Sequence, residues 1–359
     1  MIPNQTAIPG LVRVKPAALD RLGIYAERHG FRRVAVFFSD GLDEGLRGRL
    51  AAALDTRGIA VRQISPVASA SFEVATRLFE GLPAPLDAVI GFGGGKALDI
   101  SKYVAFLAGI PYFAVPTSLS NDGICSPQAS LTMGGRRRSL PAAIPAGVII
   151  DTAVCLGAPD ILWHAGVGDL VAKFTAVVDW KLAFHAVGTP VDDFAALLSD
   201  ASVFQFLGRP AHDLDGIRLL GTALILNGIS MGICGSSRPA SGSEHLISHA
   251  LDRSSARPRL HGLQVGVATY LVSLIQGQNS EHIARLFDAT KFWDSIASDP
   301  FEHSEWIAAA RLAPSIKADF HTVLSSRDCL PEIEHALATD PHLRSCFGGG
   351  VSSCFLPPS

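Results

Sequence analysis

The segment SEHLISHALD carries His245 and His249 four residues apart, the spacing that brings two side chains onto one face of a helix. Two further polar positions stand in equally apolar surroundings: Asp169 in HAGVGDLVAK and His261 at the head of HGLQVGVATY. One carboxylate with two or three imidazoles is a donor set for Zn2+ or another divalent ion with an open coordination position. The same residues also serve without a metal, Asp169 as a carboxylate at a helix start and the histidines as caps or hydrogen-bonded core groups. Glu244 precedes His245 instead of following it, so the HExxH arrangement of zinc proteases is absent. His164 and His185 lack comparable surroundings and read as structural.

A second chemistry is suggested further upstream. Gly93-Gly94-Gly95-Lys96 follows the apolar run DAVIGF and leads into ALDISKYVAFLA. Consecutive glycines let backbone N–H groups approach a phosphate, and a helix N-terminus adds partial positive charge. Neither GxGxxG nor the Walker pattern is present, and alone the loop is equally a tight strand-to-helix turn. Its companion is PYFAVPTSLSND, whose hydroxyls fall at the end of the next strand, the ligand-binding edge of an open α/β sheet. Together they point to a dinucleotide. Asp40, just after RVAVFF, either accepts from an adenosine ribose, favouring NAD over NADP, or caps a helix starting near Gly41. Arg136-Arg137-Arg138 beside Gly134-Gly135 reads as a solvated hairpin tip, with contact to a phosphate as the alternative.

These residues must be positioned by two kinds of element. Through the first 150 residues, β-rich runs (33–38, 59–64, 86–92, 111–115) alternate with helical spacing (17–29, 42–56, 72–82, 96–108), which predicts a parallel sheet wrapped by helices. A hairpin over 129–133 and 138–142 and a strand over 145–151 follow. Beyond Asp151, period-3.6 patterns over 167–185, 191–207, 216–233, 242–251 and 265–275 predict a helical domain. The boundary sits near 152–160, giving a Rossmann-like α/β domain over 1–155 and an all-helical metal- and substrate-binding domain over 156–359. A cleft between two such domains is a common place for a ligand.

With 48% hydrophobic residues in 359, the chain can bury a sizeable core. A formal net charge of -3 offers no basic surface for nucleic acid. The six cysteines form no CxxC pair, the start MIPNQTAIPG lacks a secretory pattern, and no apolar run approaches the length of a bilayer span. The expectation is a cytoplasmic protein with reduced thiols.

Taken in order, GFGGGKALDISKYVAF, IPYFAVPTSLSNDGICSPQASL, PAGVIIDTAV, HAGVGDLVAKFTAVVDWKLA, GSSRPASGSEHLISHALD, HGLQVGVATY and, more faintly, APSIKADFHTVL resemble the glycerol-1-phosphate dehydrogenases. That family is related to the iron-containing alcohol dehydrogenases and dehydroquinate synthases. The likeness runs from Gly91 to Leu324, the first 90 residues fitting by pattern only. It implies a nicotinamide cofactor, NAD or NADP, on Gly94, Gly95, Lys96, Ala97, Leu98 and Asp99, on Thr117, Ser118, Leu119 and Ser120, and on Ser126. It implies a metal, usually zinc, held by Asp169, His245 and His261, with His249 facing the substrate together with Asp122 and Asp169. The implied reaction is reduction of dihydroxyacetone phosphate, with the metal as Lewis acid and His249, or a water it orders, returning the proton.

Alternatives on the same scaffold are another phosphorylated ketone or polyol as substrate, a dehydroquinate-synthase-like cyclase with no net redox change, and a non-catalytic binder. SEHLISHALD and TSLSNDG belong with the dehydrogenase branch. The chain departs from the family at Leu263, where an acidic residue is common, at Cys125, and in its tail SCFGGGVSSCFLPPS. The related folds imply a homo-oligomer acting on a small phosphorylated substrate.

Overall fold

A computed structural model describes residues 8–348; most of the tail singled out above lies outside them. The first half runs β1 (Leu11–Lys15), α1 (Leu22–Arg28), β2 (Arg33–Ser39), α2 (Glu44–Asp55), β3 (Ala60–Val67), α3 (Phe72–Glu80), β4 (Ala88–Gly93), α4 (Gly95–Ala108) and β5 (Tyr112–Pro116). An antiparallel hairpin, β6 (Gln128–Met133) and β7 (Arg136–Pro141), then leads to β8 (Gly147–Asp151). Six strands form one parallel sheet in the order β1-β8-β5-β4-β2-β3.

Alternate residues of a strand point to opposite faces, and both faces here are covered. Val34, Val36, Ile90 and Phe92 pack against α1 and α2. Ala35, Phe37, Val89 and Ala114 pack against α3 and α4 in a core that continues into the second half of the chain. β4 and β5 are buried at every residue, as expected of central strands in a doubly covered parallel sheet. β1 is the element that periodicity did not reveal. Its sequence, LVRVK, alternates charge with apolar residues because it is an edge strand, paired only with β8.

The second half is α5 (Thr152–Leu156), α6 (Asp160–Val171), α7 (Lys173–Val187), α8 (Asp193–Leu207), α9 (Leu214–Cys234), α10 (Ser243–Ser254) and α11 (His261–Gln276), then shorter helices from Ser280 to Ser345. It is helical apart from a two-residue parallel ladder of Phe301–Glu302 with Phe347–Gly348. The single helix expected over 167–185 is broken at Ala172. There Lys173 Nζ donates to the Asp169 carbonyl at 3.2 Å, a side chain inserted at an i−4 acceptor, which is a recognised cause of kinks.

One expectation needs correction. Asp160–Val187 and Leu214–Cys234 are long and apolar enough to cross a membrane. In the fold they are core helices: 78% of the apolar window of the first is buried, and it carries the buried charges of Asp169 and Lys173.

α6 and α11 cross at glycines. A Cβ on Gly168 would overlap the Gly262 carbonyl oxygen, one on Gly262 would overlap the Ala165 carbonyl oxygen, and one on Gly266 would come within 2.9 Å of Gly168 Cα. Only glycine permits so close a backbone approach. The crossing sets Asp169, on α6, beside His261, the first residue of α11.

Candidate active site

Three side chains from three helices converge. Asp169 is fully buried, and its Oδ1 lies 3.7 Å from Nε2 of His245 and 3.7 Å from Nε2 of His261. Its Oδ2 accepts the Asp122 backbone N–H at 2.9 Å, whereas Oδ1 is buried with no hydrogen-bond partner among the described residues. An orphaned carboxylate oxygen that is buried is costly unless a cation completes it. Ligands of a tetrahedral zinc stand about 3.4 Å apart, and one donor atom from each of these residues lies within 4.8 Å of the others. The donor set fits a divalent metal.

Neighbouring groups orient the three. His245 Nδ1 faces Glu244 Oε1 at 2.9 Å, the carboxylate–histidine arrangement that fixes a ring with its other nitrogen toward a metal. Glu244 is itself held by the Gly242 N–H at 2.5 Å and the Thr175 hydroxyl at 2.8 Å. His261 Nδ1 is 3.1 Å from Ser248 Oγ. Lys173 Nζ, buried, donates to Asp122 Oδ2 at 3.0 Å and to the Ala240 carbonyl at 3.2 Å.

Burial opposes ionisation of Asp169, but Lys173, His245 and His261 outweigh it and hold the carboxyl below its usual range. For His245, burial disfavours the charged form, yet the bonds to Asp169 and Glu244 win and raise its pKa. Burial and the neighbouring His245 push His261 down to about 3. His249 is pushed well below an ordinary imidazole, first by burial and then by His261, Lys317, His245 and Arg137. Burial, with Asp169, raises the Asp122 carboxyl against the pull of Lys173.

His249 shares α10 with His245 but is not within the close cluster. Its ring is 6.3 Å from that of His245 and stacks on His261 at 5.8 Å. It lines the adjoining cavity with Asp122, Ser126, Asp99, Arg137 and Lys317. His164 is a satisfied structural histidine, its two ring nitrogens engaged by Ser295 and the Thr290 carbonyl.

A second cleft lies along the ends of β2, β4 and β5. It is lined by Asp40, Gly94, Gly95, Lys96, Asp99, Ser118 and Ser120, and it reaches His261. Gly93 is required by the chain itself, with φ of 137° and no room for a Cβ beside Ser39. Gly94 and Gly95 are different. A Cβ on either would meet nothing closer than 3.8 Å, so it would project toward the cleft, into space a ligand backbone would use. The first intrahelical bond of α4 runs from Leu98 N–H to the Gly94 carbonyl. The N–H groups of Gly95, Lys96 and Ala97 therefore have no acceptor within the helix.

Of the other residues expected at the cofactor, Ala97, Leu98 and Leu119 turn their side chains into the core. Thr117 is half-buried, its N–H donating to the Gly93 carbonyl. Ser126 lies in the cavity beside His249, 3.4 Å from Lys102 Nζ. The cap alternative for Asp40 is wrong: Asp43 caps α2 by accepting from Leu46 N–H, which leaves Asp40 exposed at the cleft. The Arg136–Arg138 run is exposed beside the hairpin turn, as expected, but Arg137 is also tethered: its Nε donates to Ser130 Oγ at 2.6 Å and its side chain reaches the cavity.

Reading by motif did not reach Glu244, Lys173, Lys102 or Lys317. Two had a usable signal: Lys173 stands four residues after Asp169, and Lys102 three after Asp99, the offsets at which helical ion pairs form.

A family model described as iron-containing alcohol dehydrogenase matches residues 13–159. The chain is 35% identical to a glycerol-1-phosphate dehydrogenase [NAD(P)+] of Aeropyrum pernix, over 92% of this chain and 96% of that one. It is 32% identical to a protein of the same name from Methanothermobacter thermautotrophicus, over 94% and 98%. Among solved structures, a probable glycerol dehydrogenase from Sinorhizobium meliloti superposes with a TM-score of 0.71 at 19% identity, covering 94% of this chain and 98% of that one. A sulfoacetaldehyde reductase from Bifidobacterium kashiwanohense, in complex with NAD+, gives 0.72 at 18% identity over 94% and 99%. At those identities the structures speak for the fold.

Proposed function

Because the chain belongs to the glycerol-1-phosphate dehydrogenase family, we propose that it reduces the ketone of dihydroxyacetone phosphate to sn-glycerol 1-phosphate with NADH or NADPH. The observation that carries the metal-dependent form of this reading is the orphaned Oδ1 of buried Asp169, 3.7 Å from both His245 and His261 Nε2. Asp169, His245 and His261 would hold the ion, zinc in our reading, and Gly94 to Asp99 with Thr117 to Ser120 would hold the nicotinamide nucleotide. When bound, the ion supplies charge stabilisation to the substrate oxygen and the nucleotide supplies hydride.

The chain's own groups do the rest. By accepting at Nδ1, Glu244 leaves the His245 Nε2 lone pair free for an ion shared with Asp169 and His261. Lys173 ties the Asp122 carboxylate to the wall of the cavity, where Asp122 can accept from a substrate hydroxyl. With its pKa depressed, His249 is a neutral imidazole near pH 7. It therefore acts as a relay, taking a proton from solvent at one ring nitrogen as it gives one to the nascent alcohol from the other, rather than as a standing imidazolium. The same reading makes the protein a cytoplasmic homo-oligomer, in keeping with the five free cysteines among the described residues.

The test follows NADH absorbance with dihydroxyacetone phosphate on protein stripped by chelator and reloaded with Zn2+. Zinc-dependent oxidation of NADH, lost in His245→Ala, is the expected result. Zinc binding without any NADH oxidation would remove this substrate while leaving the metal site standing.

A further inference from the structure

The cavity beside His249 opens into an outer basin whose charge is one-sided. Arg136, Arg137, Arg138, Arg253 and Lys317 line it against the single carboxylate of Asp252. Two of these cations differ from the rest. Arg137 and Lys317 also line the inner cavity with His245, His249 and His261. Lateral alternation along β7 explains the first: Arg136 and Arg138 flank Arg137 and reach only the outer basin, whereas Arg137, exposed like them, also borders the inner cavity.

Arg137 is braced rather than neutralised. Its Nε donates to Ser130 Oγ at 2.6 Å, and Nη1 stands 3.9 Å from Asp252 Oδ2, so guanidinium N–H groups remain for a ligand. Lys317 is packed over the Phe320 ring at 4.8 Å and has no ion-pair partner among the described residues. Burial and the nearby Arg238 already make its charge uncomfortable, and its field and that of Arg137 reach His249. The carboxylates nearby are already engaged, Asp122 by Lys173, Asp99 by Lys102 and Asp252 loosely by Arg137 itself, so an ammonium and a guanidinium converging on one polar cavity can still take an anion.

Resting on the phosphorylated-ketone reading above, we propose that Arg137 and Lys317 form the clamp for the substrate's phosphate. The β6–β7 hairpin is then the element that selects phosphorylated over unphosphorylated ketones. An arginine fork and a point-charge lysine are complementary ways to hold a dianionic phosphate. Arg137 also touches the nucleotide cleft, but Lys317 and His249 line only the substrate side, which assigns the pair to the substrate.

The experiment compares dihydroxyacetone phosphate with dihydroxyacetone on zinc-loaded protein, for the native chain, Arg137→Met, Lys317→Met and Arg137→Lys. It adds a calorimetric titration with inorganic phosphate. Arg137→Met and Lys317→Met should each lower the ratio of kcat/KM for the phosphorylated over the unphosphorylated ketone at least tenfold, chiefly through KM. Arg137→Lys should recover part of it, and phosphate should bind each Met variant at least tenfold more weakly. An unchanged ratio, or a loss that appears only as a raised KM for NADH, overturns the clamp. If the native protein leaves dihydroxyacetone phosphate untouched, the functional reading fails separately. The phosphate titration then decides alone: weakened binding in the Met variants upholds the clamp, and unchanged binding overturns it.

Discussion

His245 is gripped from both sides, by Glu244 at Nδ1 and by Asp169 beyond Nε2. Glu244→Gln keeps the shape of the side chain but removes the charge that makes the imidazole a strong ligand. Zinc affinity should fall about 10- to 100-fold, read by competition with a chromophoric chelator. The pH dependence follows from the opposed shifts of the two histidines. A metal needs neutral imidazoles, so protons compete below each pKa. That of His245 is raised and that of His261 lies at about 3. Between the raised His245 value and pH 4, zinc affinity should therefore weaken tenfold per unit of falling pH, the slope of one proton. A slope of two would show His261 titrating as well.

At this scale the site is only partly legible from residue types. The triad's residue types were plain, because a carboxylate and imidazoles in apolar helices need a reason to be there. Glu244 is not legible as a partner of His245, because neighbours at i and i+1 do not face one another along a regular helix. It reaches His245 because α10 begins at Ser243, so Glu244 lies in the first turn and folds back over the Gly242 N–H.

Among the elements, the α6–α11 crossing matters most to the site, since it sets Asp169 against His261. Gly262→Ala would drive a methyl group into the Ala165 carbonyl. Overpacking of this kind costs about 1–3 kcal/mol, seen in chemical denaturation, and the displaced His261 should weaken zinc binding beyond what the stability loss explains. If zinc binds normally, the crossing is not what positions the site. Strand and helix positions in the first half were legible because buried parallel strands are continuous apolar runs. β1 was not, being a charged edge strand. The kink at Ala172 was not legible either, because it depends on where the Lys173 ammonium goes, and that is fixed by Asp122 and Ala240 from distant parts of the chain.

For the molecule as a whole, parallel strands bring the ends of β2, β4 and β5 to one crevice facing the helical half. Asp40 stands there at the end of β2, free of the capping duty that Asp43 performs. A carboxylate at that place accepts from a ribose and repels a 2′-phosphate. Asp40→Ser should therefore shift preference toward NADPH about tenfold or more, measured as the ratio of kcat/KM for the two nucleotides. Sequence periodicity alone left Asp40 undecided, because both readings place an aspartate directly after a strand. Only the observed start of α2 separates them.

Arg137 borders the nucleotide cleft, the inner cavity and the outer basin. A side chain that cannot serve two neighbours independently makes their occupancies thermodynamically linked, and linkage is reciprocal. The factor by which saturating NADH alters the dissociation constant of inorganic phosphate must equal the factor by which phosphate alters that of NADH. Titrations in both orders should give the same factor, different from one in the native protein and close to one in Arg137→Met. One arginine on a two-stranded hairpin would thus couple the two occupancies, with no domain movement required.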